Sequence, residues 1–219
     1  MTPNYERAAT KAIETLISNN ICTAPVIPLP IFKRTPGVLV LSFTELSDKL
    51  GVDRNNLVTI CGEDNQDAVT SIHIDNGKLR YLVTYNQRLP LYLIQRALAR
   101  ELGHIILGHD GSRPEEVRHE EAMCFAHHLL CPRPLIHAIQ ENGVQITSEL
   151  LGNVTGCYER CLIGMRKTPG VHVSPELNRK VKEQFKDYID NFLNFRSILV
   201  RDDYSAVADF GSFMEGYEE

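Results

Sequence analysis

The chain has 219 residues, of which 43% are hydrophobic and 23% are charged, and its formal net charge is −5. This composition supports one large domain or two small ones, and the negative charge excludes a general attraction to nucleic acid or to an anionic membrane. No apolar run approaches the roughly 20 residues that span a bilayer, and the N-terminus lacks a signal-peptide pattern, so we expect a cytoplasmic protein. The six cysteines show no C-x-x-C spacing, and we expect buried free thiols, with a metal site at Cys157 and Cys161 as the alternative.

The N-terminal part of the chain begins with a helix and continues into a proline-rich segment. Apolar residues at helical spacing predict an amphipathic helix over residues 3–18, with Thr2 as its cap. Four prolines within residues 25–36 predict an extended, irregular segment, which leads into the short apolar run 38–41.

A short helix and a small sheet are predicted next. Ser42 and Glu45 form a capping-box signature, and Gly51 ends the helix that they begin. The dipeptide Asn76-Gly77 is a strong signal for a hairpin between two strands. We expect a small antiparallel sheet built from three strands: residues 57–60, 68–74 and 79–85.

The second half of the chain is predicted to be helical. A helix that is apolar on more than one face begins at Pro90 and ends near Gly108, as expected in the middle of a domain. Further helices are predicted over residues 112–130, 134–141, 147–166 with a break near 152–155, and 174–193. The fold class is therefore α+β, mostly helical, with the small sheet packed against the helix that begins at Pro90.

That central helix carries an incomplete zinc-peptidase motif. In H-E-x-x-H, two histidines at i and i+4 lie on one helix face and bind zinc, and the glutamate acts as a general base for the metal-bound water. Glu101 and His104 are in place, but position 100 is Arg100. An arginine is always charged and has no lone pair to offer a metal.

Two stretches around this motif carry a resemblance to a known family. Residues 101–109 read Glu-Leu-Gly-His-Ile-Ile-Leu-Gly-His, and residues 121–132 read Glu-Ala-Met-Cys-Phe-Ala-His-His-Leu-Leu-Cys-Pro. They resemble the ImmA/IrrE family of metallopeptidases, which typically shows H-E-L-G-H-x-x-L-G-H and then E-A-N-x-F-A-x-x-L-L-M-P. The resemblance implies a zincin-like domain, which we assign to residues 1–166, followed by a C-terminal helix and acidic tail over residues 167–219.

The resemblance also implies roles for particular residues. By position, Glu101 matches the catalytic glutamate, and His104 and Glu121 match two zinc ligands. The 17 residues between His104 and Glu121 leave room for two antiparallel helices to bring both groups to one ion. Arg100 stands at the position of the first zinc histidine, and Met123 at that of the family's asparagine. Zn²⁺ is therefore the cofactor that the family implies.

The other histidines are predicted to be surface or hydrogen-bonded core residues. His109 lies about 140° round an ideal helix from His104 and shares its face only if the helix breaks at Gly108. His119, His127 and His128 are likewise expected to be surface residues or hydrogen-bonded core residues.

Two functions follow from the resemblance. The first is a zinc-dependent endopeptidase that cuts a protein substrate, such as a repressor-like transcription regulator, held by strand addition at the edge of the small sheet. The second is a pseudo-peptidase that binds and regulates a protein partner without cutting it. Arg100 favours the second, because its guanidinium repels Zn²⁺ and is suited to a charge-assisted bond with Glu121 or Glu101.

Two further alternatives need no zinc. In the first, Glu101 and His104 are a polar pair on one helix, and their hydrogen bonds are made within the protein. A helix-turn-helix over residues 147–166 would bind DNA, but the segment lacks a basic recognition face.

Overall fold

The computed structural model describes residues 2–53, 67–156 and 171–201. The chain divides into two compact units, Met1–Lys11 with Ile27–Ala126 and Ala12–Val26 with His127–Glu219. No helix of the described residues combines the length and the apolar character that a membrane crossing requires. Several predicted features lie outside the described residues: the strand over 57–60, the second half of the helix pair over 147–166, the domain boundary at 166 and the acidic tail.

The described helices and strands follow the predicted order along most of the chain. They are α1 (Tyr5–Ser18), α2 (Leu29–Arg34), β1 (Val38–Ser42), α3 (Phe43–Leu50), β2 (Ala68–Asp75), β3 (Lys78–Tyr85), α4 (Leu91–Ile106), α5 (Glu115–Leu130), α6 (Arg133–Glu141), α7 (Ser148–Thr155), α8 (Pro175–Gln184) and α9 (Lys186–Arg201). The α+β class is confirmed.

Three boundaries differ from the prediction. Asn4 rather than Thr2 caps α1, since its side-chain oxygen accepts a hydrogen bond from the Arg7 N–H at 2.9 Å. The proline-rich segment contains the short helix α2, because Pro30 falls in the first turn, where a missing N–H costs nothing. The predicted long C-terminal helix is two helices that meet at the buried residue Phe185.

The first unit is built on a three-stranded sheet of order β1-β3-β2. The hairpin between β2 and β3 is confirmed: Asp75 pairs with Lys78, and both turn residues, Asn76 and Gly77, have positive φ angles of 50° and 74°. The sheet is mixed rather than purely antiparallel, because β1 pairs in parallel with β3. The sequence shows β1 only as a short apolar run without alternation, and nothing local indicates which strand it pairs with or in which direction.

Helices cover both faces of this sheet. Leu41 on β1 packs with Leu46 of α3, and Val52 and Leu82 lie against them. Thr70 of β2 belongs to the opposite face, where it contacts α4. Successive residues of a strand point to opposite faces, so β2 presents alternate side chains to the helix that carries the peptidase-like motif.

Helices α4 and α5 approach each other closely at Gly103. A Cβ atom at this position would lie 3.0 Å from the Ala122 carbonyl oxygen and 3.1 Å from Cδ1 of Phe125. Both Ala122 and Phe125 are completely buried. The glycine of the motif is therefore required by packing, and this close approach brings Glu121 near the end of α4.

The second unit has its own apolar core. Gln184 donates a hydrogen bond to the Leu16 carbonyl at 3.0 Å, and Lys182 binds Glu141 at 2.7 Å. His128 is buried, and burial lowers its pKa to about 3, so it is neutral at pH 7. His127 is also buried, so both histidines belong to the core rather than to the surface. The largest apolar side chains that are buried in this unit are Ile13, Leu16, Leu129, Leu135, Ile139 and Phe185.

We predict that Gly103→Ala destabilises the protein by about 1–3 kcal/mol, because the backbone of α5 must move to admit the methyl group. The matched control is Gly152→Ala in α7, where a Cβ atom meets nothing within 4 Å. Alanine gains about 0.5–1 kcal/mol over glycine in a helix without a clash, so the control stabilises. Urea denaturation followed by circular dichroism measures both, and equal effects of the two substitutions would contradict the close approach.

Candidate functional site

The end of helix α4 places His109 beside His104. The His109 N–H donates to the His104 carbonyl at 3.0 Å, and the Gly108 N–H donates to the Ile105 carbonyl at 3.1 Å. These are the two hydrogen bonds of a Schellman motif, with Gly108 in the left-handed conformation at φ 66°. The motif turns the chain back along the helix, so His109 returns to the face of His104 instead of continuing around the axis.

The two imidazoles form a hydrogen-bonded chain that ends on Glu121. Nδ1 of His104 lies 2.9 Å from Nδ1 of His109, and Nε2 of His109 lies 3.0 Å from Oε2 of Glu121. An ionised carboxylate only accepts, so His109 carries its proton on Nε2. A neutral His109 then accepts at Nδ1 from His104, which leaves the lone pair of His104 on Nε2. The ring of His109 therefore lies between His104 and Glu121.

Glu121 is completely surrounded by donors. Nη1 of Arg113 lies 2.8 Å from Oε1 and 2.7 Å from Oε2, and the Asn4 N–H donates to Oε1 at 2.7 Å. Asn4 caps α1, so the positive end of that helix also faces the carboxylate. Burial raises the pKa of Glu121, but the hydrogen bonds from Asn4, His109 and Arg113 outweigh burial and hold the pKa below its ordinary value.

Glu101 is held by a second arginine. Nε and Nη2 of Arg100 lie 2.9 and 2.8 Å from Oε1 of Glu101, and the Thr70 hydroxyl donates to Oε2 at 2.6 Å. Nη2 of Arg100 also donates to the Ala68 carbonyl at 2.8 Å. Glu101 is buried, and both of its oxygens accept hydrogen bonds from the protein. Of the two carboxylates that the sequence offered to Arg100, it binds Glu101 and leaves Glu121 to Arg113.

Arg100, Glu101, His104 and His109 line a cleft of about 400 Å³ beside β2. Burial lowers the pKa of His104 to about 3, and the positive charges of Arg100 and Arg118 lower it further. Burial also lowers the pKa of His109, although the hydrogen bond with Glu121 acts in the opposite direction. Both imidazoles are therefore neutral at pH 7. The lining includes Thr70, Ile72, Arg100, Glu101, His104 and Arg118.

Residues 55–156 match the family model Peptidase_M78, described as an IrrE N-terminal-like domain. This segment of the chain is similar to an IrrE N-terminal-like domain. The match covers just under half of the chain, and it contains both peptidase-like helices. No curated protein and no solved structure matches the chain.

The residues of this IrrE-like site do not fit a zinc ion as they are arranged. Catalytic zinc usually takes three protein ligands, and one of the three expected positions is the cation Arg100. The ring of His109 separates the other two, His104 and Glu121. Within residues 2–53, 67–156 and 171–201, no group of three or more His, Cys, Asp or Glu side chains is placed to hold a metal. The roles that the resemblance gives to Glu101, His104 and Glu121 stay predictions.

Three contacts of this IrrE-like site were not predicted from the sequence. His109 is expected on another face of an unbroken helix and on the face of His104 only if the helix breaks at Gly108, and the structure has that break. Arg113 and Thr70 bind the two glutamates from outside the motif, and no local pattern marks either of them. Thr70 reaches Glu101 only because the fold brings β2 to the motif helix, whereas Arg113 reaches Glu121 from the turn just before α5.

We predict that Arg100→Gln destabilises the protein by about 2–3 kcal/mol, because it leaves Glu101 buried without its counter-ion. The control is Arg80→Gln, which removes an exposed ion pair with Asp75 whose atoms are 3.6 Å apart. Exposed pairs contribute at most about 1 kcal/mol, so the control has a small effect. The double variant Arg100→Gln/Glu101→Gln recovers part of the loss.

The measurement is the free energy of unfolding of all four proteins in urea at pH 7. Equal values for the Arg100 and Arg80 variants would contradict the assignment of Arg100 as the counter-ion of a buried carboxylate.

Proposed function

We propose that this chain is an IrrE-type domain that binds an extended segment of a protein partner in its cleft without hydrolysing it. The observation that carries the proposal is the contact between Arg100 and Glu101 at 2.8–2.9 Å. A general base must reach the water that it deprotonates, but the carboxylate of Glu101 is turned to Arg100 and Thr70, whose three contacts use most of its about four lone-pair sites. Paired in this way, Glu101 acts as the counter-ion of Arg100.

The edge of β2 supports the binding of an extended chain. The Asn86 N–H donates to the Asp67 carbonyl, so Asp67 faces β3. Because residues alternate in an antiparallel pair, the N–H and carbonyl groups of Thr70, Ile72 and Ile74 point away from β3. In the part of the chain that the structure describes, no strand pairs with this outer edge of β2. It is suited to pairing with a partner strand.

The side chains beside this edge define what such a partner would present. Ile72 lines the cleft and is 43% exposed, and Ile74 beyond it is 77% exposed. Arg100 already donates to the Ala68 carbonyl, so the main-chain groups from Thr70 onward remain for a partner. We infer that the partner contributes an extended segment with apolar side chains at alternate positions. The resemblance to ImmA/IrrE proteins points to a repressor-like transcription regulator as its source.

A zinc endopeptidase is the competing candidate. The family match favours it, as does the lone pair that His104 keeps on Nε2. The two candidates differ in what they leave behind: an endopeptidase leaves cleaved peptides, whereas a binding domain leaves the peptides intact.

We predict no hydrolysis of a peptide pool prepared from a complete bacterial proteome. The pool is incubated with the protein and one equivalent of Zn²⁺, and its peptides are compared by mass spectrometry with those left by Glu101→Gln. Since Glu101 is held as a counter-ion, the two proteins leave the same peptides. New peptides that need both zinc and Glu101 would contradict the proposal and would support the endopeptidase.

We also predict that peptides enriched from a random display library on this protein are lost with Ile72→Pro. Proline removes the outward N–H that pairs with a partner strand, and it is tolerated at a sheet edge. Ile72→Val is the matched control, because it keeps both the N–H and an apolar side chain. Enrichment that survives Ile72→Pro, or no enrichment at all, would contradict binding along β2.

A further inference from the structure

The carboxylate of Glu121 has no capacity left for a further ligand. An ionised carboxylate offers about four lone-pair sites. Four contacts reach the two oxygens of Glu121: two from Nη1 of Arg113, one from the Asn4 N–H and one from Nε2 of His109. The side chain of Glu121 is 1% exposed, so water has no access to it. A metal ion at Glu121 would have to displace at least one of these donors.

None of these donors is Arg100. Arg100 binds Glu101 and the Ala68 carbonyl, whereas Glu121 is bound by Arg113 from the segment before α5. The carbonyl of Arg113 accepts a hydrogen bond from Nε of Arg118 at 3.0 Å, which fixes that segment on the first turn of α5. The two glutamates of the family motif are thus neutralised by two different arginines on different parts of the chain.

We propose that Arg113 is a second, independent determinant of metal exclusion, which takes the place of the metal at Glu121 whether or not Arg100 is present. This inference rests on the proposed function, because it concerns the same site. Zinc binds a carboxylate oxygen at about 2.0–2.2 Å, and Nη1 of Arg113 lies only 2.7–2.8 Å from both oxygens. Zinc and the guanidinium would therefore be neighbouring cations in a buried position.

Arg113 differs from the other donors in the charge that it carries. The Asn4 N–H and a neutral His109 are dipoles, which rearrange around a cation without a charge penalty. The guanidinium cannot lose its proton, so its charge stays wherever it is held. Restoring a histidine at position 100 supplies a metal ligand but leaves this charge on Glu121. A single reversion of the motif is therefore insufficient for zinc binding.

The test is zinc binding by five proteins: the original chain, Arg100→His, Arg113→Gln, Arg100→His/Arg113→Gln and Arg100→His/Arg96→Gln. The last is the matched control, since Arg96 is a cation of the same unit that binds Asp67 rather than Glu121. Each protein is dialysed against Zn²⁺ and analysed for metal by elemental analysis, with affinities from chelator competition. Zinc-free circular dichroism and thermal unfolding show which variants are folded, and Arg100→His/Arg113→Met is the substitute if the glutamine variant is not.

We expect about one zinc per chain only in the double variant that lacks Arg113. Its affinity should exceed that of Arg100→His by at least about 10-fold, because the substitution removes a positive charge that repels the metal ion. The Arg96 control should behave like Arg100→His. Tight binding by Arg100→His alone would overturn the role of Arg113 and leave the proposed function intact. A folded Arg100→His/Arg113→Gln variant that binds no zinc would also overturn the role of Arg113. Zinc-dependent hydrolysis by the original chain would instead overturn the proposed function.

Discussion

The ion pair between Arg100 and Glu101 is the constraint on which the rest of the site depends. A carboxylate at this depth is stable only if a counter-ion and hydrogen-bond donors replace the water that it has lost. Arg100 supplies the charge and Thr70 the remaining donor, and Arg100 also holds the Ala68 carbonyl. One guanidinium therefore joins the motif helix α4 to the edge strand β2 and fixes the wall of the cleft.

The same physical rule governs Glu121, with different partners. Its counter-ion is Arg113, and its remaining donors are the cap of α1 and the imidazole of His109. In a zinc peptidase the positive charge beside such carboxylates comes from the metal. In this chain it comes from two arginines. The cleft thus keeps its shape although ion pairs stand where a zinc peptidase has its metal. The edge of β2 remains accessible to an extended chain.

Local signals predicted most of the fold. The capping box of Ser42 and Glu45 and the Asn76-Gly77 turn are both present, because each depends on atoms a few residues apart. The parallel pairing of β1 with β3 joins segments about forty residues apart and leaves no local pattern. The residues of the site divide in the same way, into those that a pattern in the sequence marks and those that none marks. Glu101, His104 and Glu121 were singled out by the motif and the family resemblance, whereas no local pattern marks their partners Thr70 and Arg113. His109 was expected to share the face of His104 only if the helix broke at Gly108, and the structure has that break.

The most direct test of the central claim is a crystal structure of the protein grown with Zn²⁺, with anomalous scattering recorded at the zinc edge. We expect no anomalous peak in contact with His104 or Glu121, and we expect the Arg100 guanidinium to remain bound to Glu101. A zinc ion bound by both His104 and Glu121, with Arg100 turned away from the cleft, would contradict it.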